Sequence, residues 1–311
     1  MAARSYRVAC LAGCGTAPEL MAEASRALQA VARLHGLRIE QVHIPFGADA
    51  VVRGGNAVPH AARAAYLSCD AVLAVDEDES TVDGLRSELD LRARQTRVRF
   101  GDRSDLVLLA PLSVESSAWT VERAFALARQ RRAQLSVVAD GPDWQAVVEH
   151  ESRRNEGVRV HMLARGTALA AAAFDPESMD VLLADATVGE LLASLVGAAS
   201  VPARVAASGF LAEHGPPLFV PDDTGKADHA GFGTTDPSSM LLAAAMLLGD
   251  GLGERSAADT LVGALSGTDA RTAERLERGV ASTTREFTDA VLSRFQVSFP
   301  NAEFHPGVLA R

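Results

Sequence analysis

The feature that most constrains this chain is an alternation. Short apolar runs of strand length are each followed by a longer stretch in which apolar residues return every three or four positions. Runs at residues 7–12, 39–45, 71–75, 106–109, 135–139 and 181–184 predict buried strands, and 19–34, 58–66, 121–132, 144–154 and 188–196 predict helices between and after them. A helix after nearly every strand returns the chain to the same end of the sheet, so neighbouring strands run parallel. The expected class is α/β, a largely parallel sheet with flanking helices. The first connection, Gly13-Cys14-Gly15, reads as a turn, with Pro18 placed where a helix can begin. Residues 216–237 form a Gly/Pro/Asp-rich loop too long for a plain connector. Beyond it, 238–248 is apolar at nearly every position, as a buried helix requires, and further helices are predicted over 256–265, 271–279 and 284–294. The tail 298–311, with Pro300 and Pro306, is expected to be loosely attached.

Composition excludes several classes. The 311 residues are 48% hydrophobic, enough for one or two cores. No run of about 18 apolar residues is present, so no membrane span is expected, and residues 1–7 lack the apolar core of a signal peptide. The three cysteines, Cys10, Cys14 and Cys69, form no CxxC pair, which points to a reducing cytoplasm. A net charge of −10 argues against a nucleic-acid partner. The local basic stretch Arg92, Arg94, Arg97 and Arg99 reads as a solvated helix face.

Four stretches, in the same order, resemble the isocitrate/isopropylmalate dehydrogenase family. Gly13-Cys14-Gly15-Thr16-Ala17-Pro18-Glu19 is similar to its opening G-D-G-I-G-P-E. Leu85-Arg86-Ser87 with Leu89-Asp90-Leu91 is similar to L-R-K-x-L-D-L. Residues 219–237 track F-E-P-V-H-G-S-A-P-D-I-A-G-K-G-I-A-N-P without a gap, sharing Phe219, Pro221, Asp228, Ala230, Gly231, Gly233 and Pro237. Thr284-Arg285-Glu286-Phe287-Thr288-Asp289-Ala290-Val291 resembles the closing G-T-x-E-F-T-D-A-V. The resemblance implies a two-domain subunit: a first α/β domain built from both chain ends, 1–99 plus 202–311, and a second over 100–201 that carries dimerisation helices. It also implies an active site in the cleft between them and a homodimer.

The same resemblance implies metal-dependent, NAD(P)-linked oxidative decarboxylation of a 2-hydroxy acid, and this chain departs from the residues that perform it. A hard divalent cation needs several anionic oxygens. The family's G-D-I-L-x-D helix is here Gly189-Glu190-Leu191-Leu192-Ala193-Ser194, and its third aspartate aligns with Gly166. The catalytic lysine segment reads Val137-Val138-Ala139-Asp140-Gly141-Pro142, and Lys226 is the only lysine in the chain. The tyrosine motif aligns with residues 110–116, which hold neither tyrosine nor arginine, and Trp119 runs almost directly into the next helix where the family has an interlocking arm. The cofactor loop's glutamate, histidine and asparagine become Val220, Asp223 and Asp236. No metal and no cofactor are therefore expected.

What remains is sparse. Arg86 matches the family's first substrate-binding arginine. The second aligns with Thr96, and a one-residue slip would bring in Arg97. Glu190 is the candidate base. Cys14, at a helix start that lowers thiol pKa, is a second catalytic candidate. His229 reads as an acid/base group or an exposed loop histidine, and His161, at the end of a predicted strand, as structural. The expected function is non-redox, metal-independent chemistry of isomerase, cyclase or lyase type on a small or carrier-bound acid. The alternative is a pseudoenzyme that binds a partner or metabolite.

Overall fold

The computed structural model describes residues 4–58, 60–100, 104–138, 142–198, 204–224, 229–277 and 283–298. Ala139, Asp140, Gly141, Lys226, Asp228 and all but the first residue of the tail 298–311 lie outside them. By its internal packing the chain divides into two units, Met1–Asp90 with His214–Arg311, and Leu91–Glu213.

The first unit holds four parallel strands, β1 (Ser5–Ala12), β2 (Arg38–Pro45), β3 (Ala71–Val75) and β10 (Leu218–Pro221), in the order β2-β1-β3-β10. β3 is buried at every position, which is why it reads as an unbroken apolar run rather than an alternation. Helix α1 (Ala17–Leu34) begins with Pro at its first turn and buries Leu20, Ala24, Ala27, Leu28 and Val31, a stripe at helical spacing. Helix α9 (Ser238–Met246) has no exposed face and continues into a π-helical turn at Leu247–Gly251. α10 (Arg255–Glu277) and α11 (Thr284–Ser298) pack around it and α1. Gly251 has to be glycine for a packing reason: a Cβ there would stand 2.8 Å from the Phe219 ring. The remaining helices are α2 (Gly47–Gly54), α3 (His60–Leu67) and α4 (Glu79–Glu88).

The second unit has the strand order β9-β4-β5-β8-β6-β7, with β4 (Leu91–Phe100), β5 (Ser104–Pro111), β6 (Gln134–Val138), β7 (Arg159–Leu163), β8 (Val181–Ala184) and β9 (Arg204–Ala212). β5, β8, β6 and β7 are parallel, and β4 runs antiparallel to both β5 and β9. Alternate side chains go to opposite faces. Val107, Leu109, Val181 and Leu183 pack under α5 (Ser117–Gln130) and α6 (Pro142–Arg154). Leu106, Leu108, Leu182 and Ala184 pack under α7 (Arg165–Phe174) and α8 (Ala186–Ala198).

The α/β class and largely parallel sheet are as expected; several local readings are corrected. The basic stretch 92–99 is not a solvated helix face but the strand β4, paired on both sides. Arginine at four positions hides the strand pattern because each finds a partner only in the fold: Arg92 at Glu213, Arg97 at Asp105 and Arg94 at Ser208 among them. β10 lies inside the stretch read wholly as loop, and the two helices expected over 256–265 and 271–279 are joined, as far as Glu277, in one helix, α10. His161 lies inside β7 rather than at its end. The boundary at 99 falls within β4, whereas packing keeps β4 and β9 whole in the second unit. β5 ends at Pro111 and α5 starts at Ser117, so no arm intervenes.

Candidate functional site

In open α/β sheets ligands collect beyond the carboxyl ends of the strands. In the first unit those ends are the Gly13–Thr16 turn after β1, Phe46-Gly47 after β2 and Asp76-Glu77-Asp78 after β3. Asp76 points into this group. It is 5% exposed, and its Oδ2 is buried without a hydrogen-bond partner. Its Oδ1 accepts from the Asp78 backbone N–H at 3.2 Å and lies 3.8 Å from Cys14 Sγ. The carboxyl is wedged between glycines: a Cβ on Gly13 would lie 2.2 Å from Asp76 Cγ, and one on Gly47, whose φ is +62°, would lie 2.2 Å from Oδ2. Desolvation raises the Asp76 pKa above the ordinary carboxylate value.

Glu77 completes the turn. Its Oε1 accepts from the Thr16 backbone N–H at 2.8 Å and from the Thr16 hydroxyl at 3.2 Å, while that hydroxyl also contacts the Thr224 carbonyl. A Cβ on Gly15 would stand 1.9 Å from this same oxygen. The start of α1, where a fold of this kind offers N–H groups to a ligand's phosphate, is thus occupied by the chain's own carboxylate.

Cys14 sits on this turn and is exposed. The helix start was expected to lower its pKa. The reverse holds: desolvation of the sulfur raises it, and the nearby charges of Asp76 and Glu77 add to the effect. Cys10 is inert by the same logic, its buried thiol pushed up to about 12. Arg86, near the end of α4, pairs with Asp83 at 2.7 Å on its own helix.

In the second unit Arg97 is engaged by Asp105, its Nε donating at 2.7 Å and its Nη2 lying 2.6 Å away. Arg131 contacts Asp105 at 2.6 Å and also Asp180 at 2.7 Å. Burial alone would raise the Asp105 pKa, but the two guanidiniums outweigh it and hold that carboxyl well below the usual range. Glu190 is exposed on α8, and its backbone carbonyl accepts from the Ser194 hydroxyl at 3.0 Å. Cys14 and Arg86 therefore belong to one unit, Arg97 and Glu190 to the other, each on a separate element.

The residues present do not fit the metal that the resemblance implies. α8 offers Glu190 and the hydroxyl of Ser194 where two carboxylates are needed, and Gly166, the second residue of α7, has no side chain at all. Among the described residues no group of three or more His, Cys, Asp or Glu side chains is gathered to hold an ion. A dinucleotide fits poorly too, since a phosphate at the first turn would meet Glu77 and Asp76.

The long loop is tied down by the motifs that carried the resemblance. Glu19 of α1 accepts from the Gly233 N–H at 3.1 Å and from the Thr235 hydroxyl at 2.8 Å. Thr284 of α11 donates its N–H to the Gly233 carbonyl at 2.8 Å and its hydroxyl to the Thr235 carbonyl at 2.6 Å. Ser239 accepts from the backbone N–H groups of Asp222 and Asp223 at 2.9 and 3.1 Å. Just before α9, Asp236 accepts from the Ser238 N–H at 2.9 Å. His229 is exposed in this loop.

No family model matches the chain. It is similar over 93% of its length to 3-isopropylmalate dehydrogenase from Bacillus cereus, 26% identical and covering 97% of that protein. The corresponding protein of Leifsonia xyli is 27% identical over 93% of this chain and 98% of its own. Among solved structures, a beta-decarboxylating dehydrogenase from Thermococcus kodakarensis in its apo form superposes with a TM-score of 0.80 at 21% identity, covering 96% of this chain and 99% of that one. An isocitrate dehydrogenase from Methylococcus capsulatus gives 0.75 at 17% identity, over 93% and 99%. The chain belongs to the isocitrate/isopropylmalate dehydrogenase family. The match covers nearly the whole chain, so this family member keeps the scaffold. Its differences from the family pattern are the missing arm before α5 and substitutions at single side chains.

Sequence reading missed Asp76 and Arg94. Asp76-Glu77-Asp78 looks like an ordinary acidic helix start, and Asp78 does cap α4 at Ser80. Only the glycines opposite, far off in sequence, distinguish its neighbour. Arg94 was submerged in the basic stretch.

Proposed function

We propose that this family member performs non-redox, metal-independent acid/base chemistry of isomerase, cyclase or lyase type on a small or carrier-bound acid. Glu190 is the proton acceptor, and Cys14, which holds its proton tightly, is a second catalytic group. The observation that carries the reading is the filled first turn: Glu77 takes the helix N–H group that a cofactor phosphate would use, while the chain offers one carboxylate where the family's metal needs several. A positioned acid or base supplies on the order of 10² to 10⁴ in rate without either group. Arg86 and Arg97 are the candidate substrate-binding arginines, and no cofactor takes part. A homodimer formed through α8 suits the half-exposed Leu191 on that helix. A reducing cytoplasm suits three free thiols, and among the described residues no helix is long and apolar enough to cross a membrane.

One observation favours a second reading, a catalytically inactive binding partner: Arg86 and Arg97 both pair with carboxylates of the chain itself. Solvent-deuterium incorporation separates the two. Isopropylmalate, isocitrate and tartrate are incubated with the protein in D₂O containing EDTA and no nucleotide. Exchange at the carbon beside a carboxylate, lost in Glu190→Gln, is the expected result. Absence of exchange in all three transfers the case to the binding partner, and NADH formation that requires Mg²⁺ overturns both readings.

A further inference from the structure

An arginine keeps its charge at any pH a protein survives, so a guanidinium drawn partly out of water calls for a counter-charge. Within the second unit Asp105 answers this need for Arg97 and Arg131. Arg94 is different. It is partly buried on β4, its Nε and Nη2 donating to the Ser208 hydroxyl at 3.4 and 3.2 Å, with its Cζ 5.8 Å from the centre of the Phe210 ring. Among the described residues no carboxylate pairs with it. Ser208 is 1% exposed and shares its hydroxyl with Thr96 at 3.2 Å, which fixes the guanidinium but brings no charge.

The strand register explains the placement. Arg94 stands opposite Phe210 on β9 and Ala110 on β5, and Thr96 opposite Ser208. Directly opposed residues share a face of the sheet. That face is the one α8 covers, because a Cβ on Gly189 would lie 2.3 Å from the Ala110 Cβ. Along the same face Val98 and Phe100 pack under Val188, Leu192 and Val196. The surface thus changes along β4, from an apolar floor beneath α8 to a fixed cation opposite Ala110, against which Gly189, the residue before exposed Glu190, packs.

We infer that Arg94 is the anion anchor of a ligand site in the second unit. It takes the carboxylate or phosphoryl oxygens of an acid through the guanidinium N–H groups not committed to Ser208. Phe210 and Ser208 are positioning residues that hold the planar fork. A planar fork matches two oxygens of one anion, which a point charge does not. The inference rests on the reading of an acid ligand and moves its anchor from Arg97, which Asp105 engages.

The test is calorimetric titration of the full chain with succinate and, separately, with inorganic phosphate. Saturable binding of at least one is expected, weakened at least about tenfold in Arg94→Gln, a change of about 1.4 kcal/mol, and partly retained in Arg94→Lys. Tighter succinate binding assigns a carboxylate ligand; tighter phosphate binding assigns a phosphoryl group. Should the variants not fold, phenylglyoxal modification of the native chain mapped by mass spectrometry replaces them, with Arg94 protected by the tighter anion. No saturable binding, unchanged affinity in Arg94→Gln, or no protection overturns the inference. Anion binding through Arg94 without deuterium exchange in any acid leaves the site standing and sinks the catalytic reading. Exchange unaffected by Arg94→Gln does the opposite.

Discussion

Two aspartates, one in each unit, are taken out of water by opposite means. Asp76 is enclosed by the backbones of Gly13 and Gly47, with one oxygen unpartnered, and among the described residues no cation is paired with it. Asp105 is enclosed by the guanidiniums of Arg97 and Arg131. Desolvation acts on both, yet it raises the first pKa and is overruled in the second. A buried carboxylate strains a fold when only neutral groups surround it and braces a fold when cations do. The braced aspartate sits within the sheet of the second unit; the strained one sits at the strand ends of the first.

The largest expected effect breaks the braced side. Asp105→Asn leaves Arg97 without its carboxylate and Arg131 with Asp180 alone. Urea unfolding at pH 7 is expected to show a loss of about 3 kcal/mol, the low end for breaking a buried pair. A loss below about 1 kcal/mol, the scale of a surface pair, would mean that solvent already does the work of the arginines. Next comes the glycine cradle. Gly13→Ala puts a methyl group into the Asp76 carboxyl, at a typical overpacking cost of about 2 kcal/mol. The same substitution in an Asp76→Ala background should cost far less, and equal costs in the two backgrounds would show that the wedge does not exist.

Asp76→Asn is smaller and opposite in sign. A raised folded-state pKa means the group's stability is present below the unfolded pKa of about 4 and lost as pH rises through the folded value. At pH 7 the native carboxylate therefore carries a penalty that the amide removes, so the variant melts higher, and its advantage closes as pH falls toward 4. The Asp105 contribution has the other sign. It is present above an unfolded pKa of about 4 and lost only as pH falls below that toward the depressed folded value. Thermal melts of both variants between pH 7 and pH 2.5 should separate the two windows, and a shared window would erase the contrast. The smallest effect is at a surface control: Glu40→Gln, which removes an exposed 3.5 Å pair with Arg7, should shift stability by less than about 0.5 kcal/mol.

The family resemblance was legible because the residues that carry it touch one another. Glu19, Gly233, Thr235 and Thr284 come from three separate stretches and form one clamp, so each motif preserves a partner of the others. β3 and α9 were legible because continuous burial leaves a continuous apolar run. β4 was not. Its arginines break every local pattern for a strand, and they are tolerable there only because of Glu213, Asp105 and Ser208 on neighbouring strands or their ends. The site residues divide similarly. The substitutions at Ser194 and Gly166 could be read from the sequence, whereas Asp76 looked like part of a helix cap.

The sequence by itself determined the period of each element, and hence the α/β class, because periodicity is a relation among residues a few positions apart. It also determined which family side chains are missing, since identity at a matched position needs no coordinates. Only the tertiary structure decided what the charges do. The pKa of Asp76 depends on Gly13 and Gly47, that of Asp105 on Arg131, and the Arg94 guanidinium is held in place by a serine more than a hundred positions away in the chain. Coulomb attraction and desolvation follow distance in space, and spacing along the chain does not report it.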